Sequence, residues 1–135
     1  MLDASAVLDF LEDGPGAERI DRLIRGARHS STPLLMSVLN WGEVFYQSWQ
    51  RRGEESAKTT MADLARLPIE LVPVDQSQVL KASEFKVVNK IPYMDCVAAA
   101  LSVLRQATLV TADRDFEKLG RQFPILWISR SHPIG

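Results

Sequence analysis

A chain of 135 residues with 46% hydrophobic and 24% charged content is long enough to bury one substantial core. It reads as one domain over residues 1–135, and its composition excludes a disordered, collagenous or fibrous polypeptide. A formal net charge of -1 supplies no global field for a polyanion, so any nucleic-acid binding has to come from local Lys and Arg.

The single Cys96 excludes an intramolecular disulfide, and no apolar run approaches the roughly 20 residues of a membrane span. Acidic Asp3 stands where a signal peptide is basic, so a cytoplasmic protein with no membrane attachment is expected.

In chain order, residues 1–3 form the end of a strand, and Val7, Leu8, Phe10 and Leu11 mark a helix over 5–13. Gly14-Pro15 ends it. Ile20, Leu23 and Ile24 carry a second helix over 16–28, and the polar run 29–33 leads into a strand over 34–38. Asn40 reads as the cap of a third helix that extends to Arg52. Gly53 separates it from a helix over 54–67, followed by a strand over 69–74 rich in Ile, Leu and Val. Asp75-Gln76-Ser77-Gln78 has the pattern of a capping box and opens a helix to Asn89. Beyond Pro92, residues 93–106 form a helix that is apolar on nearly every side, which places it in the interior. A strand over 108–111, a helix over 113–119 stopped by Gly120, and a strand over 125–128 complete the order.

Short strands alternating with helices predict an α/β domain with a mainly parallel sheet, whose ligands bind beyond the carboxyl ends of the strands. Asp3 follows the first strand, Glu43 lies in the first turns after the second, and Asp113 ends the fourth. Asp95 opens the helix that leads into the fourth. Each also has a purely structural reading. Asp3 and Asp113 suit helix N-caps, Asp95 suits the positive end of a helix dipole, and Glu43 suits solvent opposite the face of Trp41, Val44, Phe45 and Trp49. Asp95 fits its structural reading worst, because Cys96, Val97 and the alanines at 98–100 bury the helix and an uncompensated carboxylate there is costly. Carboxylates gathered without a cation raise one another's pKa, so such clusters usually hold a divalent ion. All-oxygen ligation points to Mg²⁺ or Mn²⁺ and to phosphoryl chemistry. His29 and His132 lack zinc-ligand spacing and read as surface residues.

Four motifs occur in order over residues 2–116: Leu2-Asp3-Ala4-Ser5-Ala6; Glu43-Val44 preceded by Asn40; Tyr93-Met94-Asp95-Cys96 with its alanine run; and Thr111-Ala112-Asp113-Arg114-Asp115-Phe116. With these motifs the chain resembles PIN domains, most closely the VapC-type toxins of bacterial type II toxin-antitoxin pairs. The resemblance implies a three-layer sandwich, a central and mainly parallel five-stranded sheet with helices on both faces. It also implies an Mg²⁺- or Mn²⁺-dependent endoribonuclease, with Asp3, Glu43, Asp95 and Asp113 as the catalytic, metal-binding acids and Asp115 as an auxiliary metal acid. Attack by water rather than by the ribose 2'-hydroxyl would leave 5'-phosphate and 3'-hydroxyl ends.

Ser5, Asn40 and Thr111 match family positions that orient the acids, although Ser5 and Asn40 also suit N-caps and Thr111 suits any strand. The implied partners are an RNA substrate, a second copy in a homodimer, and a small antitoxin protein that covers the acidic cleft. Similar proteins have several more apolar residues before the first Asp, whereas only Met1 and Leu2 precede Asp3 here. Either the natural chain starts earlier or the first strand is weak in ladder bonds and packing.

Arg51, Arg52, Lys86, Lys90, Arg114, Lys118 and Arg121 are candidate phosphate contacts. Trp41, Phe45 and Trp49 form a core stripe, part of which would suit a dimer surface. A haloacid dehalogenase-like phosphatase needs a second Asp where Ser5 stands. A receiver-type phosphoacceptor would use Asp75 with a Lys where Ser129 and Arg130 stand. An inert PIN-like binding scaffold is the remaining alternative, and the four intact acids argue against it.

Overall fold

Successive side chains along each strand point into two different cores, and that alternation sets the architecture. The computed structural model describes residues 1–128, so Ser129, Arg130 and His132 lie outside the described residues. The elements are α1 (Ala4–Leu11), α2 (Ala17–Ser30), β1 (Leu34–Ser37), α3 (Val38–Arg52), α4 (Glu54–Leu64), β2 (Ile69–Val72), α5 (Gln76–Asn89), α6 (Tyr93–Leu104), β3 (Leu109–Thr111), a 3-10 turn (Arg114–Leu119) and β4 (Ile125–Trp127).

β1 pairs in parallel with β2, Leu34 opposite Ile69, and β3 pairs in parallel with β4, Leu109 opposite Ile125. Leu2 joins the two pairs by bridging Met36 on one side and Val110 on the other, both in parallel sense. Its N–H donates to Leu35 O at 2.7 Å, while the N–H of Val110 donates to Met1 O at 2.7 Å. Among the described residues the implied five-stranded sheet therefore takes the form of two strand pairs with a single bridging residue at the centre. The physical reason is that the backbone leaves the sheet at Asp3, which already caps α1.

Met1, Leu35, Leu109, Ile125 and Trp127 pack with side chains of α5 and α6. Their neighbours Leu2, Met36, Val110, Leu126 and Ile128 pack with Val7, Ile20, Ile24, Val44 and Leu64 from α1 to α4. Helices thus cover both faces, as parallel strands require. Within α6, every residue from Cys96 to Ser102 is buried, in keeping with its apolar periphery. Among the described residues no single helix is long and apolar enough to cross a membrane.

Most element ends shift by one to three residues from the sequence reading, with β2 ending at Val72 before Pro73 and α6 at Leu104, and three differences have a local cause. β1 ends at Ser37, whose Oγ accepts from the N–H of Leu39, so Ser37 caps α3 and Asn40 falls inside its first turn. α4 stops at Leu64, short of 67, because Pro68 disfavours helical backbone in the residue before it. The segment after Asp113 is 3-10 and not α. At α5, Asp75 accepts from the N–H of Gln78 as a capping box predicts, but the Gln78 amide turns to Pro73 O and leaves the reciprocal half unmade.

Candidate active site

The carboxyl edge of the parallel strands is where the acids gather. A cavity of about 280 Å³ there is lined by Asp3, Glu43, Asp95 and Asp113, together with Ser5 and Asn40. α1 and α3 form its walls, and α6 brings in Asp95 from its first turn.

Asp3 is 3% exposed, and both of its oxygens are held. Oδ1 accepts from the N–H of Ala6 at 2.9 Å, which caps α1, and from Ser5 Oγ at 2.8 Å; Oδ2 accepts from Thr111 Oγ1 at 2.5 Å. The same two hydroxyls reach the loop that carries Asp113. Ser5 Oγ accepts from the N–H of Ala112 at 3.0 Å, and Thr111 Oγ1 accepts from the N–H of Asp113 at 2.9 Å. Asp113 in turn caps the 3-10 turn by accepting from the N–H of Asp115 at 2.9 Å. For Asp3 and Asp113 the capping reading and the site reading therefore hold together, since the cap occupies only one oxygen of each carboxylate. Ser5 caps nothing. It ties two parts of the site to each other, as Thr111 does.

Burial pushes the Asp3 carboxyl up to about 6. The hydrogen bonds from Thr111, Ala6 and Ser5 oppose the rise, and the Asp113 charge adds to it. Asp95 is pushed up to about 8, first by burial, then by Asp113, and further by Asp3 and Asp115. Its Oδ2 is buried with no hydrogen-bond partner, which is the uncompensated carboxylate anticipated from its apolar surroundings. Glu43 is half-buried rather than solvated. Burial raises its pKa, hydrogen bonds from Asn40 and Gln47 oppose the rise, and Asp113 adds to it. Asn40 is buried, and its amide donates to Met94 O at 3.4 Å, which links α3 to the start of α6.

Replacing Thr111 with Val keeps the volume but strips Asp3 Oδ2 and the Asp113 N–H of their shared partner. Urea unfolding of Thr111→Val is expected to show a loss of about 1–3 kcal/mol. Thr111→Ser, which keeps the hydroxyl, should recover most of it.

Asp95, Asp113 and Asp115 place one carboxylate oxygen each within 4.8 Å of one another, so Asp115 joins the cluster from an exposed position. The arrangement fits a small divalent cation: the donors are all oxygen, and the orphaned Asp95 oxygen lacks a positive partner.

Sequence reasoning missed Asp9, Glu12 and Gln47, which also line the cavity. Helical spacing from the candidate site residues was the available signal, since Asp9 on α1 and Glu12 at its C-cap follow Ser5, and Gln47 follows Glu43 by one turn. Asp9 Oδ2 accepts from the N–H of Gly16 at 2.6 Å, and a Cβ at Gly16 would lie 2.6 Å from that oxygen and 2.8 Å from Ile128 O, so only glycine fits there. Of the seven candidate phosphate contacts, Arg51 lines the cavity. Lys86 donates to Ile91 O, and Arg114 lies over the Trp127 ring at 4.4 Å. On the aromatic stripe, Trp41 packs against the core while Trp49 is 43% exposed.

The PIN-domain family model matches residues 1–122. No curated protein matches the chain by sequence. Among solved structures, a chain of a toxin-antitoxin complex from Klebsiella pneumoniae superposes with a TM-score of 0.67 at 15% identity, covering 95% of this chain and 96% of that one. A chain of VapBC-1 from nontypeable Haemophilus influenzae gives 0.69 at 18% identity, covering 94% of each. A chain of VapBC2 from Rickettsia felis, solved bound to a DNA fragment from its promoter, gives 0.67 at 16% identity and covers 96% of each. At these identities the likeness is one of fold.

Proposed function

This chain belongs to the PIN-domain family, and we propose that it is the toxin of a VapC-type toxin-antitoxin pair, an endoribonuclease that requires Mg²⁺ or Mn²⁺. The observation that carries this reading is the convergence of Asp3, Glu43, Asp95 and Asp113 on one cavity, with the carboxyls of Asp3, Glu43 and Asp95 raised. Burial is the first cause of that rise and the repulsion from Asp113 adds to it, and a divalent ion offsets both.

Asp95, Asp113 and Asp115 would hold the ion directly, and Asp3 and Glu43 would complete its surroundings. When bound, it supplies charge stabilisation at the phosphate and lowers the pKa of water. The chain's own residues supply orientation. Thr111 and Ser5 fix the Asp3 carboxylate through both oxygens, Asn40 and Gln47 steady Glu43, and the capped turn aims Asp113 into the cavity. Water attack would give 5'-phosphate and 3'-hydroxyl products.

RNA is the proposed substrate, a small antitoxin that covers the cleft is the proposed inhibitor, and the likeness to chains of toxin-antitoxin complexes supports that partner. Apolar side chains exposed on α3, Tyr46 and Trp49, support a homodimer surface. The buried Cys96 thiol suits a reducing, cytoplasmic setting.

Purified protein is expected to cut RNA in Mg²⁺ or Mn²⁺ and to stop in EDTA. Undiminished cutting in excess EDTA would sink the metal-dependent reading. A protein that neither binds Mn²⁺ nor cuts any RNA would be the inert scaffold instead.

A further inference from the structure

Two helices leave the acidic centre side by side, and each carries a polar stripe along the same cavity. α1 and its C-cap contribute Ser5, Asp9 and Glu12, and α3 contributes Glu43, Gln47 and Arg51. Positions 43, 47 and 51 are one turn apart, so Arg51 lies about 12 Å along the helix axis from Glu43. Six acids line this cavity, and among the described residues Arg51 is the only Lys or Arg that does. A polyanion entering such a trough meets repulsion everywhere but at Arg51 and at any bound cation.

Arg51 is not presented openly. Its guanidinium forms an ion pair with Glu12, and both residues line the cavity. Both side chains are partly exposed, 49% for Arg51 and 38% for Glu12, so water and salt weaken the pair and a stronger anion can displace one partner. A phosphate diester is such an anion, and the planar fork of Arg suits two of its oxygens at once.

We propose that Arg51 is the positioning residue for an RNA backbone phosphate beyond the scissile one, and that Glu12 is a latch which holds Arg51 across the trough and yields it to incoming RNA. This rests on the ribonuclease reading and adds a direction to it: the strand runs from the acidic centre outward between α1 and α3. Arg51 acts by binding, so its loss is felt in KM and affinity and not in the chemical step. Removing Glu12 does the opposite, freeing Arg51 in advance.

The test measures cleavage kinetics together with binding of a short fluorescein-labelled single-stranded RNA of mixed sequence, over a range of salt. Arg51→Ala is expected to raise KM and weaken binding about fivefold with kcat little changed, and to reduce the slope of log affinity against log salt by about 0.7. Arg51→Lys keeps the charge and should restore the slope but only part of the affinity. Glu12→Gln should tighten binding about threefold in the wild-type background and far less in the Arg51→Ala background. An unchanged KM and salt slope in Arg51→Ala, or an equal gain from Glu12→Gln in both backgrounds, overturns the latch while leaving the ribonuclease reading intact. A wild-type protein that neither binds nor cuts RNA overturns both.

Discussion

Asp113→Asn is expected to lower the cleavage rate about a hundredfold to a thousandfold while leaving the fold in place. Asp113 is the electrostatic hub of the site, since its charge acts on Asp3, Glu43 and Asp95 alike. It also has a structural duty, accepting from the N–H of Asp115 to start the 3-10 turn. Asn is as good an N-cap as Asp, and its carbonyl oxygen can take the same bond. The substitution therefore separates the two roles by removing the charge and keeping the cap. Cleavage assays and thermal melts on the same preparation read both outcomes. Full activity in Asp113→Asn would remove Asp113 from the chemistry, and a collapse of the melting temperature would show that the cap needs the charge.

How much of this was legible in the sequence depended on whether a feature is local. Asp3, Asp95 and Asp113 were found because each sits in a short motif next to a strand or at a helix start, and local spacing alone puts such residues at the carboxyl edge of a parallel sheet. The buried helix of Asp95 announced itself by composition. Composition was silent on Thr111, whose orienting role only the family resemblance implied, because its hydroxyl serves an acid 108 residues away and nothing within a strand distinguishes a Thr with that duty from any other.

Asn40 shows the same limit from the opposite side. Ser37 and Asn40 are both good caps, and the choice is settled by tertiary structure, where the Asn40 amide reaches Met94 O, 54 residues on. The Glu12–Arg51 pair spans 39 residues and two helices, so charge counting could nominate Arg51 only as one cation among seven. The sheet centre was legible in part, since Asp3 caps α1 and so ends the first strand after Leu2. The way one residue could still join the two strand pairs was not, because it depends on Leu35 and Val110 presenting groups to either side of Leu2.

Asp95 makes the second large effect, and it appears in stability without metal. An acid whose folded pKa lies above its unfolded value contributes nothing to stability below the unfolded pKa, where both states are protonated. It becomes destabilising as pH rises through the interval between the two values. For Asp95 that interval runs from the ordinary carboxyl value of 3.8 to about 8. The metal-free protein should therefore lose stability as pH rises from 4 toward 8, by about 2 kcal/mol from this group once its partial exposure is allowed for.

Protonated Asp95 can donate a hydrogen bond to Asp113, whereas ionised Asp95 only repels it. The amide introduced by Asp95→Asn keeps a permanent donor there at every pH. This variant is therefore expected to be more stable than wild type in EDTA at pH 8, by up to that amount, and to show a flatter pH dependence. The same change removes a proposed ligand, so the rise in melting temperature expected of Mn²⁺ on the wild type, larger at pH 8 than at pH 6 because protons compete with the ion, should shrink or vanish. A variant less stable than wild type in EDTA at pH 8 would mean that Asp95 is already compensated within the folded chain. The case for a cation at this cluster would then lose its main physical support.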